Sequence, residues 1–420
     1  MQLKFFGGAQ EVGRSAIMLK DDRSLLFDFG VKIDHKTEYP IDVPKVDALI
    51  LSHAHLDHSG FSPGLYNEEV IPTFGTPPTL RLSNLLLDDS LSIARKQHTD
   101  PHFHKRQVKE FVNRYVGMDY HHVTHFGNYD IEFFDAGHIS GSAITLVERS
   151  QAKDYKRVVY TGDFKGDPQL LHKGAEVVKS DVLIMETTYA GRDHPDRQKT
   201  MKAMIDKIKE TLDNKGTALI PAFAVGRSQE LLVMLEQHGL AHQTYIDGMA
   251  KDATQIVMNY PKFINNADVL AKAVRNVNWV GEMDDRREAL SHPSIILTTS
   301  GMLNGGPVVN YITKLNKNSH IFLTGFQQEG TNGRMLLDTG TIMVEKMKHK
   351  ITNGVSFHDF SAHAGMSDLL KYVKESSPTA VVCVHGDPQT AKSFANTLGE
   401  QGYDAYAPEV GDTIRLGAEH

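Results

Sequence analysis

Leu51-Ser52-His53-Ala54-His55-Leu56-Asp57-His58-Ser59-Gly60 places three imidazoles and one carboxylate between positions 53 and 58. The run before it, from Val46 through Leu51, is mostly apolar and of strand length, so the cluster falls where a buried strand gives way to a loop. In that geometry His53 and His55 project together while Asp57 and His58 turn to a second point, which predicts two adjacent metal sites. Nitrogen and oxygen donors without thiolates suit Zn²⁺, with Mn²⁺ and Fe as competitors. A lone histidine after a strand is usually an ordinary surface or core residue; four candidate ligands at this density are not explained that way.

The same design recurs outward from this stretch. Ser24 to Phe29 reads as the third strand of an opening meander and carries Asp28 at its end, placed to accept a hydrogen bond from the outer nitrogen of a ligand imidazole. Ile131 to Ser142 is a strand entering a glycine-rich turn with His138 at its tip, and Val158 to Asp163 repeats the pattern with an aspartate suited to bridge two ions. Ser180 to Glu186 delivers a carboxylate, and Val381 to His385 ends a buried strand in a histidine. His363 lies in Phe360-Ser361-Ala362-His363, just before an amphipathic helix. The histidines at 98, 102, 104, 121, 122 and 125 lack ligand spacing and are read as loop or surface residues.

At 420 residues the chain predicts two or three domains of ordinary soluble composition. No apolar run approaches the roughly 20 residues that span a bilayer, and the opening residues lack the apolar core of a signal peptide, so no membrane partner and a cytoplasmic location are expected. The single cysteine, Cys383, excludes an intramolecular disulfide and a zinc finger; among Ala380-Val-Val-Cys-Val384 it reads as strand core. A net charge of −7 argues against a general nucleic-acid coat but leaves room for a local basic groove.

From about residue 191 to 355 the texture changes to alternating helices and strands, the mark of a separate α/β domain with a mainly parallel sheet. Ligands of such sheets gather beyond the carboxyl ends of strands. Arg227 and Ser228 at a helix start, Ser300-Gly301, and the loop holding Thr331, Gly333 and Arg334 are candidate substrate-binding positions for an extended anion, with simple capping as the alternative. Lys346, Lys348 and Lys350 alternate on what reads as an extended segment, either a solvated face or a phosphate contact.

Asp28, His53-Ala-His55-Leu-Asp57-His58, His138 and Asp163 resemble, in order and context, the motifs of the metallo-β-lactamase superfamily. Glu186, Ser361-Ala-His363 and Val384-His385-Gly resemble the added motifs of its nucleic-acid branch, the β-CASP nucleases, which include ribonuclease J and the cleavage-and-polyadenylation endonuclease. The resemblance spans essentially the whole chain. It implies an α/β fold: an αββα sandwich from residues 1–190 and 356–420, with the β-CASP domain at 191–355 inserted as a lid. It also implies that His53, His55 and His138 bind one zinc ion, that Asp57, His58 and His385 bind the other, and that Asp163 bridges them, with manganese an alternative metal. The implied partner is single-stranded RNA, cut internally or from an end, with a homodimer left open. His363 is then the general acid and Glu186 its orienting carboxylate. Two other readings stand beside this one: a small-molecule hydrolase of lactamase or thioesterase type, and a non-catalytic RNA-binding scaffold.

Overall fold

The computed structural model describes residues 1–34, 36–67 and 70–417. It separates into two compact units, residues 1–193 with 362–420 and residues 194–361.

The first unit holds two seven-stranded sheets. One runs in the order Thr413–Arg415, Gln2–Gly7, Ala16–Lys20, Ser24–Phe27, Ala48–Ile50, Thr73–Gly75, Tyr115–Gly117. The other runs Asp404–Tyr406, Ala380–Val384, Val182–Glu186, Arg157–Tyr160, Ala143–Arg149, Tyr129–Asp135, Thr124–Phe126. Because side chains alternate along a strand, each apolar run feeds two cores. Leu3, Phe5, Phe27, Val158, Ile184 and Val382 fill the space between the sheets. Leu183, Met185, Val381 and Cys383 face the opposite way, onto helices Met366–Ser376 and Pro388–Glu400 through Leu369, Val373 and Phe394. On the outside of the first sheet, Phe6, Leu26 and Leu49 pack with Leu87 of helix Pro77–Gln97 and Phe111 of helix Lys105–Asn113. The result is the expected αββα layering.

Strand direction decides where the polar residues go. Ser24–Phe27 and Ala48–Ile50 are parallel, so Asp28 and the histidine cluster leave the first sheet at one edge. Arg157–Tyr160, Val182–Glu186 and Ala380–Val384 are mutually parallel. Tyr129–Asp135 shares their direction, since two antiparallel pairings separate it from Arg157–Tyr160. Four strands of the second sheet therefore deliver His138, Asp163, Glu186 and His385 at one edge.

The second unit is built on a six-stranded sheet, Asn278–Trp279, Thr244–Asp247, Ile295–Thr298, Ala218–Pro221, His320–Leu323, Gly354–Phe357, and every pairing in it is parallel. Its three central strands, Ile295–Thr298, Ala218–Pro221 and His320–Leu323, are four-residue, mostly apolar and buried runs, as a sheet covered on both faces requires. The lysine stretch differs from the sequence reading at one point. Met347–Lys350 is a strand paired with Thr341–Val344, but Lys346 lies in the turn between them, at φ 65°, and not on the strand. A two-residue hairpin needs positive φ at both turn positions, and Glu345 at φ 48° supplies the other.

Candidate metal centre

The four candidate ligands of the opening stretch part company because a single helical turn, Leu56–Ser59, begins inside it. His53 and His55 precede the turn, whereas Asp57 and His58 sit on it. Two glycines make room for this loop. A Cβ on Gly30 would stand 1.8 Å from the carbonyl oxygen of Asp57, and one on Gly162, at φ +52°, would stand 2.5 Å from Ser52 Cβ. Gly30 lets the end of strand Ser24–Phe27 meet the Leu56–Ser59 turn, and Gly162 lets the second sheet approach the first at Ser52.

His53, His55, His138 and Asp163 bring ligand atoms within 4.8 Å of one another, and so do Asp57, His58, Asp163 and His385. His55 Nδ1 lies 3.2 Å from His53 Nε2 and 3.1 Å from His138 Nε2. Ligands at about 2.0–2.1 Å in a tetrahedron stand roughly 3.3–3.4 Å apart, so this spacing is close to that of a tetrahedral metal shell. Asp163 Oδ2 faces both groups, at 3.6 Å from His53 Nε2 and 3.2 Å from His58 Nε2. In the second group His385 Nε2 is 3.4 Å from Asp57 Oδ2, and His385 Nδ1 is 3.0 Å from Asp163 Oδ1.

The neighbours fix which nitrogens are free to ligate. His138 Nδ1 faces the carbonyl of Ala362 at 2.8 Å; a carbonyl only accepts, so that nitrogen carries the proton and Nε2 keeps its lone pair. His58 Nδ1 donates to Asp28 Oδ2 at 2.7 Å, with the same consequence. Ser52 Oγ donates to the same carboxylate oxygen at 2.7 Å, which leaves it to accept from His53 Nδ1 at 3.0 Å. Asp28 also receives Ser52 N and, at 2.7 Å, Tyr160 Oη. Ser52 and Tyr160 were not singled out in the sequence, although Tyr160 stands three residues before Asp163 on the same strand end.

A cation fits this arrangement on three observations. His58 Nε2, His385 Nε2 and Asp163 Oδ1 are buried with no hydrogen-bond partner among the described residues, a costly state unless something else satisfies them. Burial holds His53, His55 and His138 below the ordinary imidazole range, in the neutral form that binds metal. At His58 and His385 burial pulls the same way, but Asp163 and its neighbours outweigh it, and His385 is pushed up to about 10. The acidic half of the cluster thus draws positive charge, as protons where no metal competes for the site.

Beside this cluster, Asp163, Glu186 and His363 form a third group. His363 Nδ1 donates to Glu186 Oε2 at 2.9 Å, and Glu186 Oε1 accepts from the backbone of Phe164 at 2.8 Å, so the carboxylate is anchored next to Asp163. Burial opposes a charged His363, while Glu186 and Asp163 outweigh it and raise the imidazole. The ring of Tyr189 lies 5.9 Å from that of His363.

The candidate substrate residues of the second unit lie at three places, two helix starts and one strand end. Ser228 Oγ donates to Phe223 O, and a Cβ on Gly301 would meet Phe223 N at 3.1 Å, so both brace the Phe223 loop. Arg227 opens helix Arg227–Gln237 with its guanidinium 5.9 Å from the ring of Phe360. Ser300 follows strand Ile295–Thr298 at its carboxyl end. Thr331 caps helix Asn332–Thr339, Gly333 packs on Gln327, and Arg334 pairs with Asp338 at 2.9 Å. Of the scattered histidines, His125 pairs with Asp130 and His121 with Glu176, and none of the six enters a metal-type cluster among the described residues.

Over 99% of its length the chain is 37% identical to Probable RNase MJ4 of Methanocaldococcus jannaschii, which is itself matched over 100% of its length. The chain belongs to the β-CASP metallo-β-lactamase ribonuclease family. The Beta-Casp domain family matches residues 228–336, and the family described as a Zn-dependent metallo-hydrolase RNA specificity domain matches residues 350–408. A third family, described as Anti-Pycsar protein Apyc1, matches residues 6–210. Other β-CASP relatives include RNase aCSPSF2 of Saccharolobus solfataricus, 34% identical over 99% of this chain and 85% of that one. Transcription termination factor FttA of Pyrococcus abyssi is 34% identical over 98% of this chain and 70% of that one. The fold is shared with a crystal structure of a protein of unknown function from Enterococcus faecalis V583, at a TM-score of 0.63, 15% identity and 99% coverage of both chains. The sandwich is therefore the metallo-β-lactamase fold, and the parallel-sheet unit is its β-CASP insertion.

Proposed function

We propose that this protein is a metal-dependent ribonuclease that hydrolyses phosphodiester bonds of single-stranded RNA at a dinuclear zinc site. The observation that carries the reading is the convergence of seven donors, His53, His55, Asp57, His58, His138, Asp163 and His385, into two groups that share Asp163. A relative matched end to end is named an RNase, which supports the choice of RNA over a small molecule. His53, His55 and His138 would hold one ion, and Asp57, His58 and His385 the other, with Asp163 between them. Two divalent cations held there supply Lewis acidity towards a phosphoryl oxygen and lower the pKa of water to near neutrality.

The chain's own residues do the rest. Asp28 and Ala362 hold His58 and His138 in the tautomer that presents Nε2, and Ser52 passes the same constraint to His53. Glu186, fixed by Phe164 N, orients His363 through Nδ1 and leaves Nε2 to give a proton to the departing ribose oxygen. Manganese is the alternative metal, since neutral imidazole and carboxylate serve both ions.

The test is a single-stranded RNA labelled in turn at its 5′ and 3′ ends, cut by wild type and by Asp57→Ala/His58→Ala. Fragments produced by the wild type alone support the proposal, internal ones marking an endonuclease and single nucleotides released from one end an exonuclease. Equal cleavage by both proteins refutes the assigned site. His363→Ala at unchanged metal content should lose cleavage by about 10²-fold or more; near wild-type rates would remove His363 as the acid.

A further inference from the structure

Strands Gln2–Gly7 and Ala16–Lys20 are joined by a loop, Gly8 to Ser15, whose two ends each hold one residue of the second metal group. Gly8 O accepts from His385 N at 2.7 Å, and Ser15 N donates to Asp57 O at 2.8 Å. Among the described residues the loop makes no such backbone bond to His53, His55 or His138. The spread of its two ends therefore bears on Asp57 and His385, whose Oδ2 and Nε2 stand 3.4 Å apart, and leaves the first group to other supports.

The loop does not hold its shape through local preference. Gly8, Gln10, Gly13 and Arg14 all have positive φ, at 71°, 51°, 104° and 38°. For Gln10 and Arg14 that conformation is unfavourable and persists where surrounding bonds over-determine it. Gln10 Nε2 donates to Ala407 O at 2.8 Å, and Glu11 supplies the bonds that close the loop. Glu11 Oε1 accepts from Gly8 N at 3.3 Å and from Arg14 Nε at 2.7 Å, while Oε2 accepts from Arg14 Nη2 at 3.2 Å. One carboxylate thus ties the residue that holds His385 to the neighbour of the residue that holds Asp57. Arg14 Nη1 donates in turn to Tyr39 O at 2.9 Å, and Tyr39 packs edge-on against Phe61 at 4.7 Å, which fixes the pair to the core. Lys32 Nζ, 3.8 Å from Glu11 Oε2, adds a second cation. The side chains of Glu11 and Arg14 are 13% and 17% exposed, so salt screens their two-pronged contact little.

We infer that Glu11 and Arg14 are positioning residues for the second metal group, setting the separation at which Asp57 and His385 meet one ion. The inference rests on the dinuclear reading of the site. It adds that the two ions have separable supports: Ser52 and Ala362 stand behind His53 and His138, whereas the second ion depends as well on the closed loop from Gly8 to Ser15.

The experiment measures metal per chain after dialysis of zinc-loaded protein against graded chelator, for wild type, Glu11→Ala, Arg14→Lys and Asp21→Ala. Asp21 pairs with Arg149 at 2.6 Å and follows strand Ala16–Lys20 at the end away from the loop, so its variant reports what the loss of a shielded ion pair does to the sandwich in general. Wild type and Asp21→Ala should hold two ions. Glu11→Ala should bind its first ion as wild type does and its second about 10–100-fold more weakly. Arg14→Lys keeps the charge without the fork and should show a smaller loss of the same kind. At the chelator level that separates the two ions, ¹⁵N shifts should mark His58 and His385 as unligated and His53, His55 and His138 as still metal-bound. An unchanged second ion in Glu11→Ala, a loss shared by both ions, or the same selective loss in Asp21→Ala would overturn the inference. Where Glu11→Ala does not fold, Arg14→Lys decides by the same criteria. If the wild type holds fewer than two ions, the dinuclear reading fails separately, and amide hydrogen exchange of the metal-free proteins decides the role of the loop. Faster exchange at Ser15 and His385 in Glu11→Ala than in Asp21→Ala upholds it, and equal exchange removes it.

Discussion

Replacing Asp28 by asparagine changes one oxygen for an NH₂ group at a residue with no exposed surface, and the hydrogen bonds around it predict an effect on metal binding out of proportion to the change. Three donors, Ser52 Oγ, His58 Nδ1 and Tyr160 Oη, converge on Asp28 Oδ2 at 2.7 Å each, while Ser52 N takes Oδ1 at 2.8 Å. With the amide oxygen kept on Ser52 N, the new NH₂ faces three groups that were donating. The hydroxyls of Ser52 and Tyr160 can rotate to accept. His58 cannot accept at Nδ1 without moving its proton to Nε2, the nitrogen aimed at Asp163. Ser52, once it accepts from the amide, turns its proton towards His53 Nδ1 and pushes His53 to the same wrong tautomer. One substitution therefore disables a ligand in each metal group.

Loss of a partner behind a ligand imidazole costs about 10–100-fold in metal affinity, so both together give roughly 10²–10⁴-fold. The frustrated hydrogen bonds should cost a further ~2–4 kcal/mol of stability, at about 1–3 kcal/mol for each poorly satisfied buried group. Metal stoichiometry after dialysis against a graded chelator, with ¹⁵N chemical shifts of the two imidazoles, measures both parts. Tyr160→Phe is the control, because it removes one donor and leaves both tautomers alone. It should cost about 1 kcal/mol in stability and leave metal content near wild type. Wild-type metal affinity in Asp28→Asn, or an equal loss in Tyr160→Phe, would refute the tautomer argument.

Gly30→Ala should abolish metal binding or folding, at about 4 kcal/mol or more, because its Cβ would stand 1.8 Å from the Asp57 carbonyl; soluble yield and metal content measure it. Cys383 is fully buried and burial pushes its thiol up to about 12, so a thiol reagent should label it only under denaturant, one equivalent per chain, and fast labelling of native protein would contradict the packing. Burial lowers His320 in the parallel-sheet unit from 6.5 to about 4. A depressed imidazole gives stability that is complete above the unfolded value near 6.5 and is lost as pH falls towards 4. After allowance for its partial exposure this amounts to ~2 kcal/mol or less, and His320→Gln should flatten the pH dependence of the urea midpoint between pH 7 and 4.5.

What could be read before the fold was known follows from how far each interaction reaches along the chain. Strand ends announce themselves locally, since an apolar run, a glycine-rich turn and one histidine or aspartate lie within about ten residues of each other. That is why the layering and the positions of His138, Asp163 and His385 were legible. Tyr160 and Ser52 were not, because each acquires its role only when Asp28 arrives, from 132 residues away for Tyr160 and 24 for Ser52. As sequence, one is a strand-core aromatic and the other a small residue at a strand end. Asp28 adopts a left-handed φ of 58°, which its place at the end of an apolar run does not announce. In the second unit the reverse holds: Thr331 and Arg334 read as part of a glycine-rich phosphate loop, and in the structure they make the cap and the i,i+4 ion pair of their own helix. A residue whose polar groups are spent on its own helix has less left for substrate. His58 Nε2, His385 Nε2 and Asp163 Oδ1, buried with no hydrogen-bond partner among the described residues, lie instead where the histidine loop meets the convergent strand ends, and there the case for chemistry is strongest.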